Sequence, residues 1–204
     1  MDLLENYKKV WENQPEDTNK VSAVEIYKMA QSKSSSIVKW IFIIGIIEFL
    51  ILNSMYFLID LEEAMKVYEN LGLKNFIFYS QIAAYIILIY FLTMFYRNYK
   101  KISAIESTKA LMKKIIKTRK TVRNYVLFNF AYLVLIMMVV TTVSINTSFD
   151  NLSTKEVLLI IISTLIATLL ILGLLWLFYQ LIYGILLRKL NRNYKELAKL
   201  DDIN

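Results

Sequence analysis

The stretch IVKWIFIIGIIEFLILNSMYFLI, Ile37–Ile59, decides what kind of molecule this is. It is apolar over a length that crosses a hydrocarbon core of ~30 Å, for which ~20 helical residues suffice. Three further runs of the same kind follow, Phe76–Tyr96, Tyr125–Ile145 and Val157–Leu187. Charge between the runs is sharply uneven. Of the 24 basic residues, 21 fall before the first run or just inside its start, in the 97–123 connection, or in the tail after Leu187. Only Lys66, Lys74 and Lys155 lie in the other two connections. Basic loops stay on the cytoplasmic side, so both ends are expected inside, with Asp60–Asn75 and Asn146–Glu156 as short outside loops.

Composition agrees and narrows the chemistry. The chain has 204 residues, of which 57% are hydrophobic, and a mean hydropathy of +0.46. Four spans use most of that length and leave no room for a second globular domain. Cysteine and histidine are both absent. Disulfides, thiol nucleophiles, histidine bases and histidine metal ligands are therefore excluded, and no cofactor or metal is expected. Met1–Ser36 is polar and charge-mixed, unlike a cleavable signal peptide. Prenylation and palmitoylation lack a cysteine, and myristoylation lacks a glycine at position 2.

The polar segments read as helix. Pro15 is the only proline and there are four glycines. Leu3, Leu4, Tyr7, Val10 and Trp11 form one apolar stripe with charges opposite, and Gln14-Pro15 ends it. A second helix opens with Ser22 as N-cap, Glu25 three residues on, and Val21 and Ile26 placed as a staple. It is expected to run through Ser34-Ser35-Ser36 into the first span. In the 97–123 connection Ile102, Ile105, Met112, Ile115 and Ile116 recur at helical spacing, which predicts an extension of span two. Leu187, Leu190, Tyr194 and Leu197 step 3-4-3 and predict a coiled-coil-like seam. Span four, at about 31 residues, is long enough to continue into that seam. Arg97-Asn98-Tyr99-Lys100 after span two is echoed by Arg192-Asn193-Tyr194-Lys195 after span four; duplication of a hairpin and the ordinary demand for aromatic and basic groups at a membrane exit both produce such an echo.

Glu48 is the sharpest chemical signal. It lies about eleven residues into the first span, where an ionised carboxylate costs at least ~2.5–3.5 kcal/mol. No basic residue is predicted at its depth, so it is expected to keep its proton, face the bundle interior and find hydrogen-bond partners. Matching depths proposes Tyr85 and Trp176 as donors, with Asn53, Gln81 and Asn129 as further buried polar groups. Two readings stay open: a neutral interhelical hydrogen bond that fixes packing, which is favoured, and a functional group for proton or ion coupling or for contact with a polar substrate. Lys113, Lys114, Lys117, Arg119, Lys120 and Arg123 set topology and are placed to meet anionic headgroups or an acidic protein. No nucleic-acid motif accompanies them. Trp40, Tyr56, Tyr79, Tyr96, Tyr125 and Tyr183 sit near span ends, as interfacial belts do. Thr141-Thr142, Ser163-Thr164 and Thr168 suit close helix contact. The nearly balanced charge of the Leu3–Trp11 stripe favours docking on protein over lying on lipid.

Asp2–Trp11, Glu25-Ile26-Tyr27-Lys28-Met29, Lys33-Ser34-Ser35-Ser36-Ile37-Val38-Lys39-Trp40-Ile41-Phe42-Ile43-Ile44 and Lys117-Thr118-Arg119-Lys120-Thr121-Val122 resemble a family of small bacterial inner-membrane proteins of flavobacterial type. The likeness is strongest over 1–60 and 109–130. The family brings no established activity with it. Some members carry the label beta-carotene 15,15′-monooxygenase, an activity that rests on four iron-binding histidines; a chain without histidine does not fit it. A short cytosolic helical segment before a membrane anchor also looks like an anti-sigma factor in layout.

The expected fold is all-α: an integral-membrane four-helix bundle with short amphipathic cytoplasmic helices. Its parts are a cytoplasmic segment (1–36), a four-span domain (37–187) with the basic connection 97–123, and a helical tail (188–204). The expected function is a non-enzymatic regulator or scaffold of the bacterial inner membrane, N-in and C-in, that contacts a cytosolic protein. The alternative is a small transporter or channel subunit with Glu48 as coupling group. Membrane lipids are expected partners, nucleic acid is not, and a homo-oligomer is left open.

Overall fold

The computed structural model describes residues 22–54, 61–105, 107–147 and 152–201. Among these residues every regular element is an α-helix: α1 Ala23–Ser54, α2 Leu61–Asn70, α3 Lys74–Ser103, α4 Thr108–Thr147 and α5 Thr154–Asp201. All but α2 are long and apolar enough to cross a membrane. The stripe Leu3–Trp11 lies outside the described residues, as do Val21 and Tyr56.

Serine starts three of the long helices. The Ser22 N–H donates to Glu25 Oε2 at 3.0 Å and the Glu25 N–H donates back to Ser22 Oγ at 3.2 Å, a reciprocal cap that satisfies two otherwise orphaned groups. From there α1 continues through Ser34-Ser35-Ser36 without a break. Ser107 Oγ accepts the Ala110 N–H at the start of α4. Ser153 and Glu156 repeat the reciprocal cap at α5, and the donated Ser153 bonds hold the Glu156 carboxyl below its usual range.

One connection carries a helix of its own, and another differs from the sequence expectation. Asp60–Asn75 contains the helix α2, which Gly72 ends. With φ +68° it takes the left-handed conformation that glycine adopts freely. Its N–H reaches the Glu69 carbonyl at 2.9 Å and the Leu73 N–H reaches that of Tyr68 at 2.8 Å, closing the helix end. The 97–123 connection is not an extension of span two alone. The chain turns between Ser103 and Thr108, and most of the connection is the first turns of α4. The Ser107 cap is the local cause. The turn is also held from α1, because Tyr27 Oη and Gln31 Nε2 both donate to the Ile105 carbonyl at 2.5 Å.

The long helices run alternately up and down. α1 and α4 each pack against both α3 and α5, and lie diagonally opposite one another, the antiparallel bundle that short connections favour. Buried positions step by threes and fours: Phe91, Phe95, Asn98 and Ile102 on α3, and Leu111, Ile115, Thr118, Val122 and Tyr125 on α4. That spacing is the knobs-into-holes seam of shallow-angle helix packing. On α5 the expected seam has Leu190 and Leu197 at its centre. At Gly45 a Cβ would come within 2.9 Å of Leu92 Cδ2 and 3.7 Å of the Phe95 ring, so the missing side chain is what lets α1 approach α3.

Packing is graded along the bundle. At the end that holds the α3–α4 turn, here the basic end, one core joins Ala30, Val38, Ile102, Leu111, Ile115, Leu190 and Leu197. Next to it a second core joins Ile41, Phe91, Phe95, Val122, Tyr125, Tyr179 and Tyr183. Polar groups are buried within the first core and at its border with the second. Asn193 Nδ2 donates to Ser34 Oγ at 3.1 Å, while Asn98 Nδ2 is buried with no hydrogen-bond partner. Both asparagines of the repeated Arg-Asn-Tyr-Lys echo thus point into the interior. Beyond Glu48, Phe91, Tyr125 and Tyr179, towards the far end, no described residue of the four long helices is buried. Thr141, Thr142, Thr164 and Thr168 do not clamp α4 to α5 there; they line a groove of about 470 Å³ between the two helices.

Candidate functional site

Glu48 sits on the buried seam of α1 and is 5% exposed. Both of its carboxyl oxygens are engaged from α5. Tyr179 Oη lies 2.5 Å from Oε1 and Tyr183 Oη lies 3.1 Å from Oε2. The two tyrosines are four residues apart, so one helical face presents both. Tyr125 of α4 closes the third side, its ring edge-on to Tyr179 at 6.2 Å and to Tyr183 at 6.1 Å. Phe91 and Phe95 of α3 back Tyr125 at 5.5 Å and 5.7 Å. One carboxyl is thus enclosed by aromatic groups from the three other long helices. Among the described residues no cation forms an ion pair with it. No group of three or more potential metal-ligating side chains occurs among them either.

The interior position of Glu48 and its hydrogen bonding follow the sequence reading, but the partners differ. Tyr85 donates instead to Asn53 Oδ1 at 2.7 Å, and Gln81 Nε2 donates to Tyr85 Oη at 3.2 Å. That chain ties α3 to α1 about one turn farther from the basic end, on a different face of α1 from Glu48. Trp176 is 55% exposed and stands on the wall of a cleft between α4 and α5. Asn129 bonds the Tyr125 carbonyl of its own helix at 3.1 Å. Depth matching failed on α5 because that helix runs unbroken past the apolar run, leaving no fixed end from which to count. Tyr125 and Tyr183 are not belt residues either. They are 2% and 1% exposed, whereas Trp40 and Tyr79 are 53% and 67% exposed as a belt requires.

Packing and coupling roles for Glu48 separate in two substitutions. Glu48→Gln keeps the shape and an acceptor for the tyrosines, so stability in detergent should change by less than ~0.5 kcal/mol, whereas Glu48→Leu leaves two hydroxyls without their acceptor and should cost about 1–2 kcal/mol. Thermal unfolding of both variants beside a growth phenotype checks this. A stable Glu48→Gln protein that is inactive in cells would overturn the packing role.

The basic residues of α4 point in three directions. Lys113 and Lys117 are exposed on the side away from the bundle. Lys114 lies towards α3. Its partial burial, and then the neighbouring charges of Lys101, Lys117 and Arg97, hold its ammonium below the ordinary lysine range. Arg119, Lys120 and Arg123 turn towards α5 and line a cleft of about 490 Å³. Arg119 is fixed there by an Nη1 bond to Asn191 Oδ1 at 2.7 Å. This division of one basic segment into an outward patch and a cleft wall was not part of the sequence expectation.

No curated protein and no solved structure matches the chain. A family model does, described as Domain of unknown function (DUF8845), over residues 24–202. Those residues run from the first turn of α1 to the end of α5 and include Glu48, its three tyrosines and the basic face of α4, so the whole bundle belongs to the DUF8845 family of proteins of unknown function.

Proposed function

We propose that the protein is a multi-pass protein of the bacterial inner membrane, N-in and C-in, that acts as a non-enzymatic regulator or scaffold for an acidic cytosolic protein. The observation that carries this reading is the basic end. Its helices continue well past the apolar runs and build a core in which Ile102, Leu111, Ile115, Leu190 and Leu197 are all 0% exposed. Anchoring in a bilayer requires no such layer, whereas holding a protein surface in a fixed shape does. Among the described residues the like-charge cluster around Lys114 forms no ion pair, and it favours an anionic partner. The resemblance to small flavobacterial inner-membrane proteins supports the same location. The transporter alternative rests on Glu48, which is 5% exposed and enclosed by Tyr125, Tyr179 and Tyr183.

Orientation and contact are both measurable. On a chain without cysteine, Asn70→Cys and Ser153→Cys should react with an impermeant thiol reagent in intact cells, and Ser107→Cys only after lysis; labelling of Ser107→Cys from outside would overturn the topology. A photo-crosslinker at position 110, exposed on the same face as Lys113 and Lys117, should trap a cytosolic protein in cells. Lys113→Glu combined with Lys117→Glu should lower that yield by about tenfold or more, as two reversed charges near an anionic partner imply. Equal yield after charge reversal, or crosslinks to lipid alone, would sink the regulator reading.

A further inference from the structure

The α4–α5 cleft has two kinds of wall at its two ends. At the basic end stand Arg119, Lys120 and Arg123; farther along stand Val126, Trp176 and Tyr179, with Gln180 and Gly184 also in the α5 wall. On α4 the cleft extends from Ile116 to Val126, about 15 Å of helix at 1.5 Å per residue. It therefore bridges the change from the basic connection to the apolar run, and on α5 it ends at Leu187, next to Arg188. A ligand that fills it must be anionic at one end and apolar at the other.

We propose that this cleft binds one anionic glycerophospholipid of the inner leaflet, with the phosphate headgroup among Arg119, Lys120 and Arg123 and an acyl chain along Val126 and Trp176. The siting of the cleft at a lipid–water boundary rests on the membrane reading above, but not on a cytosolic partner. Three features favour a lipid. The cations line the basic end of the cleft, where a headgroup belongs, and Trp176 in the apolar wall is exposed, where a chain arrives from the bilayer. Arg119 is held in place by Asn191, so part of the headgroup site is preformed and loses less side-chain freedom on binding. Gly184 lets the Gln180 side chain lie close along α5; a Cβ there would meet it at 3.1 Å, so a larger residue would crowd the cleft wall. The back wall carries Tyr179 and Tyr183, which also hold Glu48. Lipid in the cleft therefore buttresses the cage, and the melting temperature should rise with bound lipid by mass action.

The test uses the purified full chain in a neutral detergent, delipidated and then titrated with phosphatidylglycerol or phosphatidylcholine of the same acyl chains. Native mass spectrometry and thermal unfolding are the readouts. Phosphatidylglycerol should bind about tenfold more tightly or better, given ~1 kcal/mol per cation at an anionic headgroup. Lys120→Gln with Arg123→Gln should erase most of that preference. Gly184→Leu should weaken both lipids by filling the cleft, without any change of charge. Lys113→Gln with Lys117→Gln, on the outward face, should leave the preference within about twofold while impairing capture of a cytosolic partner. Millimolar inorganic phosphate should not displace the lipid. Equal binding of the two lipids by the unaltered protein would overturn the proposal, as would equal losses in the two double variants. Full displacement by inorganic phosphate would also overturn it, marking a phosphate site instead.

Discussion

Phe95→Ala should destabilise the folded protein in detergent by about 3–5 kcal/mol, the range for removing a buried aromatic ring from a packed core. Phe95 is 0% exposed and fills the space where α1, α3 and α4 meet. Its ring lies edge-on to Tyr125 at 5.7 Å and close to the open position at Gly45. Little can collapse into the resulting cavity, because glycine offers no side chain on one flank and Tyr125 is held between Phe91, Tyr179 and Tyr183 on the other. Loss of the ring should also loosen Tyr125 and so reach Glu48. Tyr90→Ala is the comparison, since Tyr90 is 58% exposed and faces outward; its cost should stay near ~0.5 kcal/mol. Equilibrium unfolding in mixed micelles measures both. A Phe95→Ala cost below that of Tyr90→Ala would show that the aromatic core is not where the stability lies.

Leu190→Glu should have an effect of similar size but different reach. Leu190 is 0% exposed in the core of the basic end, with Val38, Leu111 and Ile115 among its neighbours. A carboxylate there has no cation to pair with among those side chains, and an unpaired buried charge costs about 3–5 kcal/mol. The damage should stay at the basic end, because the second core and the apolar runs do not depend on that position. Limited proteolysis should therefore cut the 97–123 connection and the tail of the variant, while the protein still fractionates with membranes. Lys189→Glu, one residue away but exposed, should leave the digestion pattern unchanged. Identical patterns for the two variants would contradict a packed core at this end.

The four long helices were legible because each announces itself by length and apolarity, and Ser22 with Glu25 marked the first helix start. The position of Glu48 was legible from cost alone: a carboxyl in the middle of an apolar run has to face inward. Its partners were hidden by treating Tyr125 and Tyr183 as belt residues from their closeness to Arg123 and Arg188. The decisive signal was present. Stepping back along α5 from Leu190 by seven and then four residues reaches Tyr183 and Tyr179, the two donors. Distance along the chain from a charged residue gives depth, but only the seam gives direction, and direction decides whether a tyrosine meets lipid or a carboxyl. The turn between Ser103 and Thr108 was missed for another reason. Ile102 and Ile105 fit one helical stripe with Met112 and Ile115, and a cap as small as Ser107 does not disturb that periodicity.

The graded packing gives the bundle the mechanics of a tuning fork. The stem is the basic end, where interlocked side chains resist shear. The tines are the far halves of α1, α3, α4 and α5, which have no buried seam among the described residues to lock their spacing. A bilayer that thickens or thins imposes its mismatch as tilt, at fractions of a kcal/mol per Å. Unlocked tines would take up that load by splaying, while the stem kept its shape. In a bilayer, a surface built on the stem would thereby be insulated from the lipid composition around the tines, and Glu48 stands at the fork, where the two regimes meet.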